Sequence, residues 1–573
     1  MKHLSPFPER TPVRIGPNPL PLAAAIVLTT VTALAGCGSS TSSVSAVPVA
    51  KPLACSDVTS AKLGIPGLTV TAATDLPASA PNDPAGYPEH CQVTGNINPH
   101  IGIDGNSYAI GFDVRLPVAN WNGKFVYSGD GGLDGAILSP LGNVSLASPM
   151  QGNALSRGYA VVSSDGGHIA APGVLYDGTF GRDPQARADY AYNALGTMTV
   201  AGKSLVTTFY GRAPTRSYYM GCSKGGQSGI MAAGRFADQY DGIIAGAPGI
   251  DMPRLSIAQI FDTQQALSVS ANPASAFAPQ DLQLVSQKIL ARCDALDGAT
   301  DGIVSDTAAC QAAFNFDTDV PQCASGMSPD GTCLSASQKA ALKAIFAGPR
   351  NSVGDVLYAN WPWDAGVGSS AWSSVKFGVT PQLGTIAMGN VWATPPTAVD
   401  ATNALAYARG FSLDNAFNLI YGTNATFPVS SMDLMMPPDP THLSTLKSHG
   451  KLLVYHGTAD PLMNVNATIG WYNQVRAGDP QAPDYVRLFL VPGMNHCLGG
   501  MSTDAFDMLT TLSDWVEKGI APDSVPATVT ASNPDLPASW SRTRSRPLCP
   551  YPQKAVLKSG ATDLEAAGSF ACQ

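Results

Sequence analysis

The chain has 573 residues, of which 45% are apolar and 13% charged, which excludes a disordered polymer and allows a large buried core. Its formal net charge of −9 is the wrong sign for a general nucleic-acid binder. With 57 Gly and 46 Pro, many turns and long loops are expected.

Residues 1–36 read as a lipoprotein signal peptide. Lys2, Arg10 and Arg14 make a basic start opposed only by Glu9, and Leu20 to Ala35 is uncharged and apolar or small. That run is shorter than the roughly 20 residues a membrane span needs. It ends in Leu34-Ala35-Gly36-Cys37, which has the form of a bacterial lipobox, so Cys37 is expected to be lipidated and to begin the mature chain. Ordinary export is the alternative. A polar tether, 37–54, follows. No later apolar run approaches membrane length, so contact with a membrane is expected only through the anchor at Cys37.

Further along, strands and helices alternate, which predicts a parallel α/β sheet. Lys124 to Ser128 is a short strand running into Gly129-Asp130-Gly131-Gly132, and Tyr159 to Ser163 is another. Residues 184–209 carry helical spacing. Ser217 to Gly221 is strand-like, Gly225 to Phe236 helical, and Gly242 to Gly246 a buried strand. Between 249 and 445 the rhythm breaks: the stretch is rich in Ala, Ser, Pro and Asp, with few strand runs. It reads as an insertion over the sheet, a separate domain being the other reading. Lys451 to Tyr455 and Val486 to Val491 resume the strands. The expected organisation is a first core part over 55–248, an inserted lid over 249–445 and a second core part over 446–573.

Three residues on these loops suit nucleophilic catalysis. Gly221-Cys222-Ser223-Lys224-Gly225 fits G-x-S-x-G, in which small residues allow a tight strand-to-helix turn that lifts the serine hydroxyl clear of the sheet. In α/β-hydrolases the acid and the histidine follow the serine in the chain. Asp460, in His456-Gly-Thr-Ala-Asp460, and His496, in Gly493-Met-Asn-His496-Cys497, both lie just past strand C-terminal ends, where open sheets place their chemistry. Singly, these are ordinary loop residues; the order and the positions together make them a candidate Ser-His-Asp triad. One oxyanion donor is expected from the backbone N–H of Lys224 and a second from the loop Gly129 to Gly132.

Of eleven cysteines, setting Cys37 aside leaves an even ten, which in an exported chain read as disulfides. Sequence alone leaves the pairing open. Local closeness suggests Cys55–Cys91, Cys293–Cys310, Cys323–Cys333 and Cys549–Cys572. The two left over, Cys222 and Cys497, stand directly beside Ser223 and His496. If the serine and the histidine meet, their neighbours can meet too. Separately, Asp294, Asp297, Asp301 and Asp306 mark an acidic, glycine-bearing loop bracketed by Cys293 and Cys310. It suits a hard cation such as Ca²⁺ but lacks EF-hand spacing, so calcium and a solvated turn stay open as readings.

The paired cysteines beside serine and histidine, with Gly221-Cys-Ser-Lys-Gly-Gly226, Pro492-Gly-Met-Asn-His-Cys497 and the tail Arg546-Pro-Leu-Cys-Pro-Tyr-Pro552, resemble the tannase and feruloyl esterase family of α/β-hydrolases. That family also includes mono(2-hydroxyethyl) terephthalate hydrolase. The resemblance spans about Cys55 to Cys572. It implies an α/β-hydrolase core sheet with a large inserted lid domain, Ser223 as nucleophile, His496 as base and then acid, and Asp460 as its orienter. It implies the five disulfides named above, and Gly131 as the second oxyanion donor, with Gly132 the alternative. It also implies a structural Ca²⁺ held by the side chains of Asp294, Asp297 and Asp301 and the carbonyls of Ala299 and Ile303, and no organic cofactor.

Family substrates are small esters of flat aromatic acids, so apolar pocket walls are expected. Trp361, Trp363, Trp372, Phe377 and Trp392 lie in the lid region, and Trp392 is the expected pocket wall among them. His456 matches a substrate-contacting position of the terephthalate-monoester enzyme, with Met463 on the same loop. That enzyme also pairs the free carboxylate of its substrate with a lid arginine. No Arg occurs from Asn351 to Ala408, the first being Arg409. The expected function is therefore an exported serine esterase for feruloyl, galloyl or related hydroxybenzoyl esters. The alternatives are terephthalate-monoester hydrolysis, a peptidase or acyltransferase with the same triad, and a non-catalytic surface lipoprotein that binds carbohydrate or polymer.

Overall fold

Short runs of apolar and β-branched residues, several of them buried on both faces, build one nine-stranded sheet. The structure, a computed structural model, describes residues 52–573 apart from 81–82, 84–85, 139, 145–151 and 175. The signal, Cys37 and the tether up to residue 51 lie outside the described residues. The strands are β1 (Leu68–Leu76), β2 (His90–Ile101), β3 (Ser107–Pro117), β4 (Lys124–Ser128), β5 (Ala160–Ser164), β6 (Arg216–Cys222), β7 (Gly242–Gly246), β8 (Lys451–Gly457) and β9 (Val486–Val491). Their order across the sheet is β1-β2-β3-β5-β4-β6-β7-β8-β9.

From β5 to β9 every neighbouring pair is parallel. The pairs β1/β2, β2/β3 and β3/β5 are antiparallel, so the expected parallel sheet is in fact mixed. The reason lies in β1 and β2: polar residues interrupt Leu68–Leu76 and His90–Ile101, and many of their side chains stay exposed, as an antiparallel sheet edge allows. The helical stretch expected over 184–209 is Pro184–Ala188, a π-helical turn Asp189–Asn193 and Ala194–Tyr210.

Two apolar clusters cover the sheet. One joins Phe125, Tyr127 and Tyr219 to Met198, Leu205 and Ile230 of the helices Ala194–Tyr210 and Lys224–Arg235. The other joins Val126, Tyr218 and Phe489 to Leu509, Leu512 and Trp515 of the helix Met508–Lys518. Between β7 and β8 the described chain is helices and loops, and it returns to the sheet beside the strand it left. Residues Ala266 to Phe377 of this stretch enclose a core of their own, which takes in Trp361, Trp363, Trp372 and Phe377. A further cluster, with Met252, Ile257 and Trp392, is shared with Phe180 and Tyr190 of the main body.

Five disulfides form: Cys55–Cys91, Cys222–Cys497, Cys293–Cys310, Cys323–Cys333 and Cys549–Cys572. No helix among the described residues is long and apolar enough to cross a membrane.

Candidate active site

β6 ends at Cys222 and the helix Lys224–Arg235 begins two residues later, so Ser223 must reverse the chain alone. It does so at φ 66° and ψ −124°, a conformation that L-residues seldom adopt and that costs strain. The neighbouring glycines make the turn possible. A Cβ on Gly221 would lie 2.8 Å from the Gly225 carbonyl carbon, and one on Gly225 2.6 Å from the Asp130 carbonyl oxygen. The Ser223 N–H donates to the Gly246 carbonyl (3.0 Å), which fixes the turn against β7.

The loop after β4 comes up against this turn. Its Gly129 N–H donates to the Met220 carbonyl (2.8 Å). A Cβ built on Gly131 would stand 4.0 Å from the Ser223 Cβ, so of the two candidate glycines Gly131 faces the serine. The Gly132 carbonyl is held by the Tyr190 hydroxyl (3.0 Å).

Asp460 and His496 meet. His496 Nδ1 lies 2.7 Å from Asp460 Oδ2, and the imidazole keeps partial exposure while the carboxylate has none. Asp460 Oδ1 accepts the N–H groups of Leu462 (2.8 Å) and Met463 (2.9 Å). Burial alone would push the Asp460 carboxyl up, but the His496 and His456 imidazoles outweigh it and hold the group well below the usual carboxylate range. An ionised carboxylate fixes His496 with its proton on Nδ1 and leaves Nε2 free to act as a base. The Cys222–Cys497 bond ties the neighbour of Ser223 to the neighbour of His496, and both Ser223 and His496 line one cavity.

His456 does not line that cavity, which corrects the expected substrate contact. It is fully buried behind the acid, with Nε2 3.3 Å from Asp460 Oδ2 and 3.2 Å from the Met463 carbonyl. Two acceptors face Nε2, so that nitrogen carries the proton, and the Thr468 hydroxyl donates to Nδ1 (2.9 Å). His456 therefore braces the carboxylate that orients His496.

The stretch between β7 and β8 supplies a second brace that the sequence did not reveal. Asp364 Oδ2 accepts from the Thr458 hydroxyl (2.6 Å), and the same Thr458 oxygen accepts the Gly493 N–H (2.9 Å). The Trp372 indole donates to the Ala459 carbonyl (2.9 Å), and the Ser369 hydroxyl to Asn495 Oδ1 (3.0 Å). Residues 364–372, between β7 and β8, thus hold both the acid loop and the histidine loop.

The cavity has a volume of about 680 Å³ and a largely apolar wall, with Met252, Leu255, Leu383, Trp392 and Leu462 among its residues. Trp392 lies there as expected, its indole N–H held by the Ser256 hydroxyl (2.9 Å). Among the described residues, no Lys or Arg lies in the lining. Arg409 points elsewhere and donates to the Ala271 carbonyl at the surface.

In the acidic loop, Asp294 accepts the Asp301 and Gly302 N–H groups, Asp297 those of Ala299 and Ser305, and Asp301 that of Ile303. Asp301 also pairs with Arg546. Burial pushes the Asp294 carboxyl up and that of Asp297 to about 6. Neither has a cationic partner among the described residues. Their free lone pairs and the buried Ala299 and Ile303 suit the donor chemistry of a hard cation. Among the described residues no three acidic, His or Cys side chains close into a cage by themselves, so the carbonyl oxygens would have to complete the set.

A strained serine between a central parallel strand and a helix, beside a glycine loop and sharing a cavity with a histidine–carboxylate pair, defines an α/β-hydrolase. The comparisons narrow the class. The family model "Tannase and feruloyl esterase" matches residues 91–573, and the chain belongs to that family of carboxylic ester hydrolases. It is 40% identical over 540 residues to mono(2-hydroxyethyl) terephthalate hydrolase from Piscinibacter sakaiensis, covering 86% of each chain. It is 30% identical to a probable feruloyl esterase from Arthroderma benhamiae over 516 residues, 86% of this chain and 87% of that one. Among solved structures, feruloyl esterase B from Aspergillus oryzae superposes with a TM-score of 0.69 at 23% identity, over 91% of this chain and 99% of that one.

Proposed function

We propose that the protein hydrolyses neutral esters of aromatic acids through Ser223, His496 and Asp460. The observation that carries this reading is the cavity that both Ser223 and His496 line, largely apolar and, among the described residues, without a Lys or Arg. Ser223 Oγ attacks the ester carbonyl as His496 Nε2 takes its proton. The N–H groups of Gly131 and Lys224 hold the oxyanion. His496 passes the proton to the leaving alkoxide, and water then releases the acid by the reverse roles. Trp392 offers a flat wall to the acyl ring.

Terephthalate-monoester hydrolysis is the second reading, favoured by the 40% identity to an enzyme of that name. A free carboxylate in this cavity would have to shed its water without a cation to meet it, which is costly. Methyl ferulate, methyl gallate and mono(2-hydroxyethyl) terephthalate should be compared by kcat/KM. The neutral esters are expected to lead by about 100-fold, the size of discrimination that an unpaired polar group supports. A lead for the terephthalate monoester would reverse the assignment.

Two further features belong to the same reading. Export with lipidation at Cys37 fits five disulfides, which persist in oxidising compartments. A structural Ca²⁺ on Asp294, Asp297, Asp301 and the carbonyls of Ala299 and Ile303 would neutralise the Asp294 and Asp297 carboxylates, which burial pushes up and no cation among the described residues offsets. Chelation is expected to lower Tm by at least about 2 °C, restored by added calcium, because a ligand bound only to the folded state stabilises it. Asp297→Asn should abolish that calcium response; a Tm indifferent to both chelator and calcium would remove the metal.

A further inference from the structure

Lys224 brings to the site more than its backbone N–H. Its side chain is buried, and the ammonium lies 3.5 Å from Asp134 Oδ2, donates to Ser228 Oγ (2.9 Å) and sits 4.5 Å from the centre of the Tyr190 ring. Both of its larger partners hold the glycine loop. Asp134 closes the turn that contains Gly131, its N–H donating to the Gly131 carbonyl (3.0 Å), and does so at φ 46°. Tyr190 holds the Gly132 carbonyl through its hydroxyl. Room for this arrangement comes from Gly166, where a Cβ would lie 2.5 Å from Asp134 Oδ2.

A buried lysine–aspartate pair is a poor source of stability, since desolvation of both charges offsets most of their attraction. Here burial pushes the Asp134 carboxyl up while Lys224 draws it down. The pair joins two segments that the chain keeps far apart: the turn after β4 and the start of the helix after β6. These are the segments that carry the two oxyanion donors.

We propose that the Lys224 side chain, through Asp134, sets the spacing between the Gly131 and Lys224 N–H groups, so that one residue supplies one oxyanion donor and positions the other. Lys224 and Asp134 are in this respect positioning residues. The inference rests on the assignment of Ser223 as nucleophile with those two donors.

The test uses Lys224→Met, Asp134→Asn and the double variant in the full chain, each at a temperature where circular dichroism shows it folded. Asn tolerates the left-handed conformation at 134, and the double variant removes both charges, so no lone buried charge remains. Steady-state rates on a neutral methyl ester and the affinity for an arylboronic acid, which binds a serine as a tetrahedral anion, are measured. Loss of part of an oxyanion hole should lower kcat by about 10–100-fold, with KM within about twofold, in the single and double variants alike. Boronic-acid affinity should fall by a similar factor. A folded double variant with parental kcat and boronic-acid affinity would make the pair purely structural and overturn the proposal. Failure of the underlying assignment looks different: Ser223→Ala would then keep its activity or its boronic-acid binding.

Discussion

Ser223→Ala is expected to lower kcat by about 10⁶-fold and Asp460→Asn by about 10⁴-fold, with the double variant no worse than Ser223→Ala alone. In the proposed mechanism the three residues act as one unit, so removal of the nucleophile leaves nothing for the base to activate. Asp460→Asn is the more informative change. Asp460 Oδ2 receives His496 at 2.7 Å and His456 at 3.3 Å, and Oδ1 receives two backbone N–H groups. An amide at 460 keeps the shape of that hub but turns an NH₂ toward at least one of these donors. His496 then loses the acceptor that keeps its proton on Nδ1, and the imidazolium formed during attack loses its counter-charge. Steady-state kinetics on a neutral methyl ester measures each loss. An Asp460→Asn enzyme within tenfold of the parent would exclude Asp460 as the orienting acid.

The contacts around this hub explain what the sequence could and could not disclose. The strained turn at Ser223 and the contact of Asp460 with His496 were foreshadowed because nucleophilic chemistry demands particular residue types at strand ends, and a glycine-bounded serine has few other uses. His456 was misread for a reason that strand geometry supplies. It lies on β8 next to Tyr455, and adjacent residues on a strand face opposite sides. Tyr455 lines the cavity, so His456 turns away from it toward Thr468 and Asp460. Gly131 and Gly132 differ only in the fold, where a Cβ on Gly131 would stand 4.0 Å from the Ser223 Cβ and one on Gly132 would meet nothing within 4 Å. The braces from Asp364, Ser369 and Trp372 left no local pattern at all, because each links segments about a hundred residues apart. The edge strand β1 and its neighbour β2 escaped notice because their exposed faces carry polar residues, whereas β5 and β7, buried throughout, read as plain apolar runs.

Removal of the disulfide beside the triad, Cys222→Ala with Cys497→Ala, should carry the largest cost to stability of any pair of substitutions at the site. The bond closes a loop of 275 residues. Chain-entropy arguments put the loss for so long a loop at about 5 kcal/mol, less whatever structure the unfolded chain retains. Activity should fall as well. Ser223 is held in its strained turn by β6, β7 and the helix that follows, and keeps most of its placement. Cys497 has φ 66°, and with His496 it sits on a loop fixed elsewhere by Asn495 and Gly493. The histidine is thus the partner free to drift, and a shift near 1 Å between base and nucleophile costs about 100-fold in rate. The expected result is a markedly lower denaturation midpoint together with a kcat about 100-fold down at temperatures where the variant is still folded. If the midpoint falls and kcat does not, Asp364, Thr458 and Asn495 hold the histidine loop without help, and the bond serves stability alone. A parental midpoint would contradict the entropic argument outright, because no other covalent link bridges the strand of the serine and the loop of the histidine among the described residues.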